Sequence, residues 1–175
     1  MCNPVIDIEI VKAAKEGNAD SFAQVYDLIA PELYRVALYT LGNEQDAQDA
    51  VSETFVEAYK GIKNLRDEAS FKRWMMTILS VRCKRHVAGY IKERKNIDID
   101  DMLDEPSAPE SVSQTDKISV WDAVSTLAED ERQIVMLATV QGYTTKEVSE
   151  MLDLPHGTVS SKLHRTLKKL RKVLE

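Results

Sequence analysis

Five side chains near the C-terminus can bond a polar, negatively charged partner: Ser160, Ser161, Lys162, His164 and Arg165. Short hydroxyls and long cations at the start of a helix suit base edges and phosphates in the major groove of a nucleic acid. From Lys162 to Lys172 the chain holds six cations and no acid, although the whole protein carries 29 acidic against 23 basic side chains. A second basic run spans Lys72 to Lys95, where Lys72, Arg73, Arg82, Lys84, Arg85, Lys92, Arg94 and Lys95 stand against the single acid Glu93. Interleaved with Phe71, Trp74 and Tyr90, these cations offer charge for phosphates and ring faces for unstacked bases. A solvated basic face with Phe71 and Trp74 in the core accounts for the same residues. Covalent chemistry has no comparable support, because no Ser/His/Asp, Cys/His or metal-ligand constellation emerges. Cys2 and Cys83 are far apart with no CxxC, and His86, His156 and His164 do not sit near them at ligand spacing. The reading is of a non-enzyme with no cofactor and no metal; Cys83 is open between a small buried thiol and a redox switch.

The elements that position these residues read as helices throughout, an all-α chain of two small helical domains. Phe22, Val25, Tyr26 and Ile29 recur at helical spacing, Pro31 stands where a new helix can begin, and Leu33, Val36, Ala37 and Leu41 continue the pattern to a stop at Gly42. Asn43 caps a helix whose buried stripe is Ala47, Ala50, Val51, Thr54, Phe55 and Ala58, leaving Asp46, Asp49, Ser52, Glu53, Val56 and Glu57 outward. Ser70 can cap the long basic helix, with Phe71, Trp74, Ile78, Val81 and Cys83 facing inward. Further on, Leu127 to Val140 reads as one amphipathic helix, broken by Gly142 and Tyr143. Thr144 with Glu147 three residues later is a capping box that opens a short helix through Val148, Met151 and Leu152. After a tight turn at Asp153, Leu154 and Pro155, the last helix carries Val159, Leu163, Leu167, Leu170 and Leu174 as one apolar stripe. Two helices joined by so short a turn predict a helix-turn-helix.

Charge divides the chain. Residues 1–95 hold 14 acids and 14 bases, 96–116 seven acids and no base, and 117–175 eight acids and nine bases. The middle piece, NIDIDDMLDEPSAPESVSQTD, is too acidic and too rich in proline and serine to fold alone, so it reads as a flexible linker. Fully extended, its 21 residues reach about 70 Å, comparable to about twenty base pairs of duplex. No run of eighteen apolar residues is present, and the start lacks the basic region and cleavage site of a signal peptide. A soluble cytoplasmic protein without membrane insertion is expected.

Two stretches carry a family resemblance. Gly142-Tyr143-Thr144-Thr145-Lys146-Glu147-Val148, followed by Gly157-Thr158-Val159-Ser160-Ser161-Lys162-Leu163-His164-Arg165, resembles region 4 of bacterial sigma factors. Asp46-Ala47-Gln48-Asp49-Ala50-Val51-Ser52-Glu53-Thr54-Phe55, followed by Phe71 and Trp74, resembles region 2. A chain of only these two regions and a short linker resembles the extracytoplasmic-function class of the sigma-70 family. The resemblance implies a transcription initiation factor that binds core RNA polymerase through the beta-prime clamp helices and the beta flap. It implies recognition of the minus-10 and minus-35 promoter elements, help in promoter melting, and control by an anti-sigma factor.

Laid onto this sequence, the resemblance assigns Asp49, Ser52, Glu53, Val56 and Glu57 to the polymerase face. It assigns Leu65, Arg66, Lys72, Arg73, Trp74, Arg82 and Arg85 to the minus-10 strand. Thr145, Thr158, Ser160, Ser161, Lys162, His164, Arg165 and Lys168 fall to the minus-35 element. The corresponding boundaries are 1–95 for region 2, 96–116 for the linker and 117–175 for region 4. Thr77, Val81 and Ser160 depart from residues the family often places there, so no promoter sequence carries over. The competing reading, a helix-turn-helix regulator that binds DNA without polymerase, explains the C-terminal residues and leaves the Asp46 to Phe55 helix without a purpose.

Overall fold

The computed structural model describes residues 6–96 and 120–174, and every regular element among them is helical. Residues 97–119, which hold nearly all of the expected linker, lie outside the described residues, as do Cys2 and the side chains of Tyr90, Lys92, Arg94 and Lys95. The first four helices are α1 (Ile8–Lys15), α2 (Ala19–Leu41), α3 (Glu44–Gly61) and α4 (Phe71–Asn96). The second four are α5 (Val120–Ser125), α6 (Glu129–Val135), α7 (Thr145–Leu152) and α8 (His156–Leu174).

Local chemistry sets most boundaries. Asn43 caps α3 by accepting from the Asp46 N–H at 3.0 Å. Gly42 ends α2 at φ 73°, a left-handed conformation that costs glycine nothing, and its N–H donates to the Leu38 carbonyl at 2.8 Å. Two expected boundaries are corrected. Pro31 does not start a new helix; it lies inside α2 with its ring exposed, so the hydrogen bond it cannot make is missing on the solvent side. Nor does Ser70 cap α4. The Ser70 hydroxyl donates to Asp67, which caps a 3-10 turn over Glu68–Ser70 by accepting from the Ala69 N–H, and that turn leads into α4.

Burial follows the apolar stripes with local corrections. Val25, Ile29, Leu33, Phe71, Met75, Met76 and Leu79 are fully buried against Ala47, Ala50 and Ala58, whose small side chains let α3 lie close. Each large side chain so covered contributes about 1.5–3 kcal/mol. Val81, expected inward, is 40% exposed. On α8 the expected Leu167 and Leu174 are also exposed, and the buried line runs through Val159, Thr166 and Leu170 instead. The helix expected over Leu127 to Val140 starts at Glu129 and widens at Met136–Val140 into a π turn, where the Gln141 N–H reaches back five residues to the Met136 carbonyl at 3.0 Å.

The second four helices pack on the first. Ala123, Val124, Leu127, Val135 and Leu170 form a small core of their own, whereas Ile134, Leu137, Val148, Met151, Leu152 and Val159 join the apolar cluster of α1–α4. That follows from α6 carrying apolar residues on two faces: Val135 serves its own group and Ile134 the other. Trp121 of α5 meets Tyr39 of α2 edge-on at a centroid distance of 4.8 Å, and the buried Gln133 amide donates to the Ser80 carbonyl at 3.2 Å. Arg132 covers the end of α2 so closely that a Cβ on Gly42 would stand 3.0 Å from its Nη1.

Candidate nucleic-acid interface

The helix-turn-helix is built as its residues require. The Thr144 hydroxyl accepts from the Glu147 N–H at 3.2 Å, and the Glu147 carboxylate accepts from the Thr144 N–H at 2.9 Å. These bonds to Thr144, backbone first, hold the Glu147 carboxyl below the usual range. Asp153 ends α7 in the left-handed region at φ 51°, a conformation aspartate tolerates better than most residues. The Pro155 carbonyl then accepts from the Thr158 and Val159 N–H groups to open α8. His156 Nε2 lies 2.9 Å from the Thr145 hydroxyl and ties the starts of α7 and α8 together.

On α8, Ser161, His164, Arg165 and Lys168 are exposed at spacings of three, one and three, which aligns them along one ridge. Ser160 is half-buried beside His156, and Thr158 is half-buried too. Lys162 is turned away from the ridge to an ion pair with Asp130 of α6. Further along, Lys169 binds Glu131 at 2.7 Å, which lowers the Glu131 pKa. The ridge can present a hydroxyl, an imidazole and two cations to a groove.

The α4 residues are less gathered than expected. Leu65 is only 6% exposed and belongs to the core, while Arg66 and Arg85 are exposed. Trp74 is half-buried, its ring against Gly61 and 5.9 Å from Phe71. Lys72 pairs with Glu32 at 2.8 Å. Arg73 reaches across to α7, 3.6 Å from Glu147 and 4.0 Å from Glu150. Arg82 turns to α3, where it meets Glu53 at 3.3 Å and Glu57.

On α3, Asp49, Ser52, Glu53, Val56 and Glu57 are all exposed, as expected. Two flanks of this face were missed in the sequence. One is His86, near Glu53 and Asp46; its only signal was its place four residues after Arg82. The other is an aromatic group, Phe22, Tyr26, Phe55 and Tyr59, with Tyr26 and Tyr59 substantially exposed. Helical spacing had placed Phe22, Tyr26 and Phe55 on apolar stripes, but it could not show that α2 and α3 gather these rings with Tyr59, leaving Tyr26 and Tyr59 at the surface over a buried Phe55.

Cys83 is buried, and that burial pushes its thiol up to about 12, so little thiolate exists near neutral pH. It behaves as a small core residue in this arrangement. Among the described residues no cluster of three or more His, Cys, Asp or Glu could hold a metal ion, and no helix is long and apolar enough to cross a membrane.

Comparison with known proteins matches both halves of the chain. The Sigma-70 region 2 family matches residues 25–90, and the Sigma-70, region 4 family matches residues 123–172. The chain is similar to the ECF RNA polymerase sigma factor SigW of Bacillus subtilis, at 27% identity over 94% of each protein. Its fold is similar to CnrH, solved in complex with the cytosolic domain of CnrY, with a TM-score of 0.67 and 19% identity over 96% of each chain. It is also similar to RpoE of Bartonella quintana, solved in complex with the anti-sigma factor NepR, with a TM-score of 0.65 and 21% identity over 89% of this chain and 98% of that one.

Proposed function

Since the chain belongs to the sigma-70 family, in its extracytoplasmic-function class, we propose that it binds core RNA polymerase and directs it to promoters, controlled by an anti-sigma factor. The observation that carries this reading is the order of parts on one chain. An outward acidic helix and a basic aromatic helix match region 2, and a capped helix-turn-helix with an exposed ridge matches region 4. Residues 1–95 serve polymerase and the minus-10 strand, 117–175 the minus-35 element, and 96–116 connect them. The protein performs no catalysis of its own; bond formation belongs to the polymerase, and the place of action is the cytoplasm. An anti-sigma factor would hold it inactive; the similar RpoE of Bartonella quintana is seen in complex with one.

Each part has a physical role. The Ser161, His164, Arg165 and Lys168 ridge enters the major groove, where bidentate arginine contacts discriminate bases and lysine draws phosphates. The exposed cations Arg66 and Arg85, with Arg73 once released, hold the non-template strand. The half-buried ring of Trp74, next to Arg73 in the sequence, offers a stacking edge. Unstacking a base costs a few kcal/mol, offset by stacking on aromatic faces and by phosphate contacts.

The packing of the two halves sets a condition. Two elements about 25 base pairs apart are separated by roughly 85 Å at ~3.4 Å per pair, whereas α4 and α7 here touch through Arg73. The halves therefore separate before both elements are bound. Glu147→Gln with Glu150→Gln tests this: glutamine keeps the capping box and removes the two negative charges that hold Arg73. Free protein carrying both changes is expected to bind a single-stranded minus-10 oligonucleotide about two- to fivefold tighter by anisotropy, the scale of exposed ion pairs. Unchanged affinity would argue that Arg73 is not withheld.

The whole reading is tested by adding purified protein to core RNA polymerase on a promoter template. Specific run-off transcript is expected, and failure to bind the core would sink the assignment.

A further inference from the structure

Arg82 is placed differently from its expected role on the minus-10 strand. Its side chain is 19% exposed, its Nη1 lies 3.3 Å from Glu53 and its Nη2 bonds Glu57. Its Nε is buried and finds no hydrogen-bond partner among the described residues. One turn later on α4, His86 is 3.7 Å from the other Glu53 oxygen and 3.8 Å from Asp46. The α3 acids stand seven and four residues apart and the α4 partners four apart, so each rung joins successive turns of the two helices. This ladder runs along the edge of the exposed face made by Asp49, Ser52 and Val56.

We propose that Arg82 and His86 are positioning residues of the polymerase face: they hold Glu53 and Glu57 in fixed rotamers ready for a cationic helical surface. This rests on the reading of that face as the polymerase-binding one. Three geometric and electrostatic points support it. A phosphate could reach the Arg82 fork only by displacing two carboxylates, because the guanidinium is aimed at α3 and largely covered. Glu53 and Glu57 remain 46% and 47% exposed at the side chain, so a partner can still reach them. Asp46, Glu53 and Glu57 outnumber Arg82 and His86 together, so the ladder stays net negative, and Asp49 adds to it. The face therefore stays attractive to lysine and arginine while its long side chains are already ordered, which reduces what binding must immobilise.

The sign of one substitution separates positioning from the alternatives. Arg82→Met is expected to weaken binding to core RNA polymerase about tenfold, with Arg82→Lys recovering most of it, since truncating a partner in a close charge network acts chiefly on complex lifetime. Binding of a single-stranded minus-10 oligonucleotide should stay within about twofold, as expected where no phosphate contact is lost. If oligonucleotide binding falls while core binding holds, Arg82 is a DNA contact and the proposal is overturned. Core affinity that rises or stays equal also overturns it, because the arginine would then merely neutralise the acids. Should Arg82→Met lower the thermal midpoint substantially, His86→Gln carries the same test: about a threefold loss of core affinity is expected, and equal affinity counts against positioning. Reversal of Glu53 and Glu57 tests the underlying reading separately. If reversal leaves core binding intact, the polymerase face lies elsewhere; if reversal weakens it and Arg82→Met does not, only the positioning role fails.

Discussion

Replacing Glu53 and Glu57 together by lysine should weaken the association with core RNA polymerase about a hundredfold, the scale found when charged interface pairs are broken or opposed. Both side chains are roughly half exposed on α3 and pair with Arg82, so the new lysines would repel Arg82 as well as the cations of the partner. Because the Arg82 guanidinium is largely covered, reversal also costs the fold some stability, so binding is measured at a temperature where the variant stays folded. The informative comparison is therefore between two binding measurements on the folded variant. Surface plasmon resonance with core polymerase should show the loss, while binding of a minus-35 duplex by the same full chain stays unchanged. Equal core affinity would place the polymerase face on other residues.

Arg165→Ala should reduce promoter affinity about ten- to a hundredfold, the range for loss of one arginine contact to a base edge. The residue is exposed, and among the described residues its hydrogen bond runs from Nε to the Ser161 carbonyl at 3.2 Å, within its own helix. Removing it should change unfolding free energy by no more than about 0.5 kcal/mol, as for surface substitutions elsewhere. Gel-shift titration with holoenzyme on promoter and on scrambled duplex separates the readings. A drop confined to promoter DNA identifies base recognition, an equal drop on both identifies a phosphate contact, and no drop leaves Arg165 a solvated cation. Lys162, one turn away in sequence terms, should matter less, because it is engaged by Asp130.

Sequence reasoning served best where a local rule acts alone. The Thr144 and Glu147 box, the Asn43 cap and the Gly42 stop each depend on a few neighbouring residues, and each stands where expected. It was less accurate where two helices compete for one residue. Leu167 was assigned to the core by spacing, yet Thr166 faces inward, because helix packing admits only a narrow strip and small rotations decide which residue fills it. The candidate sites follow the same pattern. The α3 face and the α8 ridge were legible because each lies on one helix, so a 3.6-residue period identifies the exposed side. The α4 cations were not, because their partners come from other helices: Glu32 for Lys72, Glu147 and Glu150 for Arg73, Glu53 and Glu57 for Arg82.

By itself, then, the order of side chains determined the helical character of the described residues, most of their caps, the helix-turn-helix and the two stretches that match regions 2 and 4. Only the tertiary structure decided which cations remain available to a nucleic acid and which are held by carboxylates, and that the two halves share an apolar cluster. The physical reason is range. Capping and amphipathicity are set by residues within one or two turns, whereas an ion pair such as Arg82 with Glu57 joins positions 25 residues apart that meet only once their helices have packed.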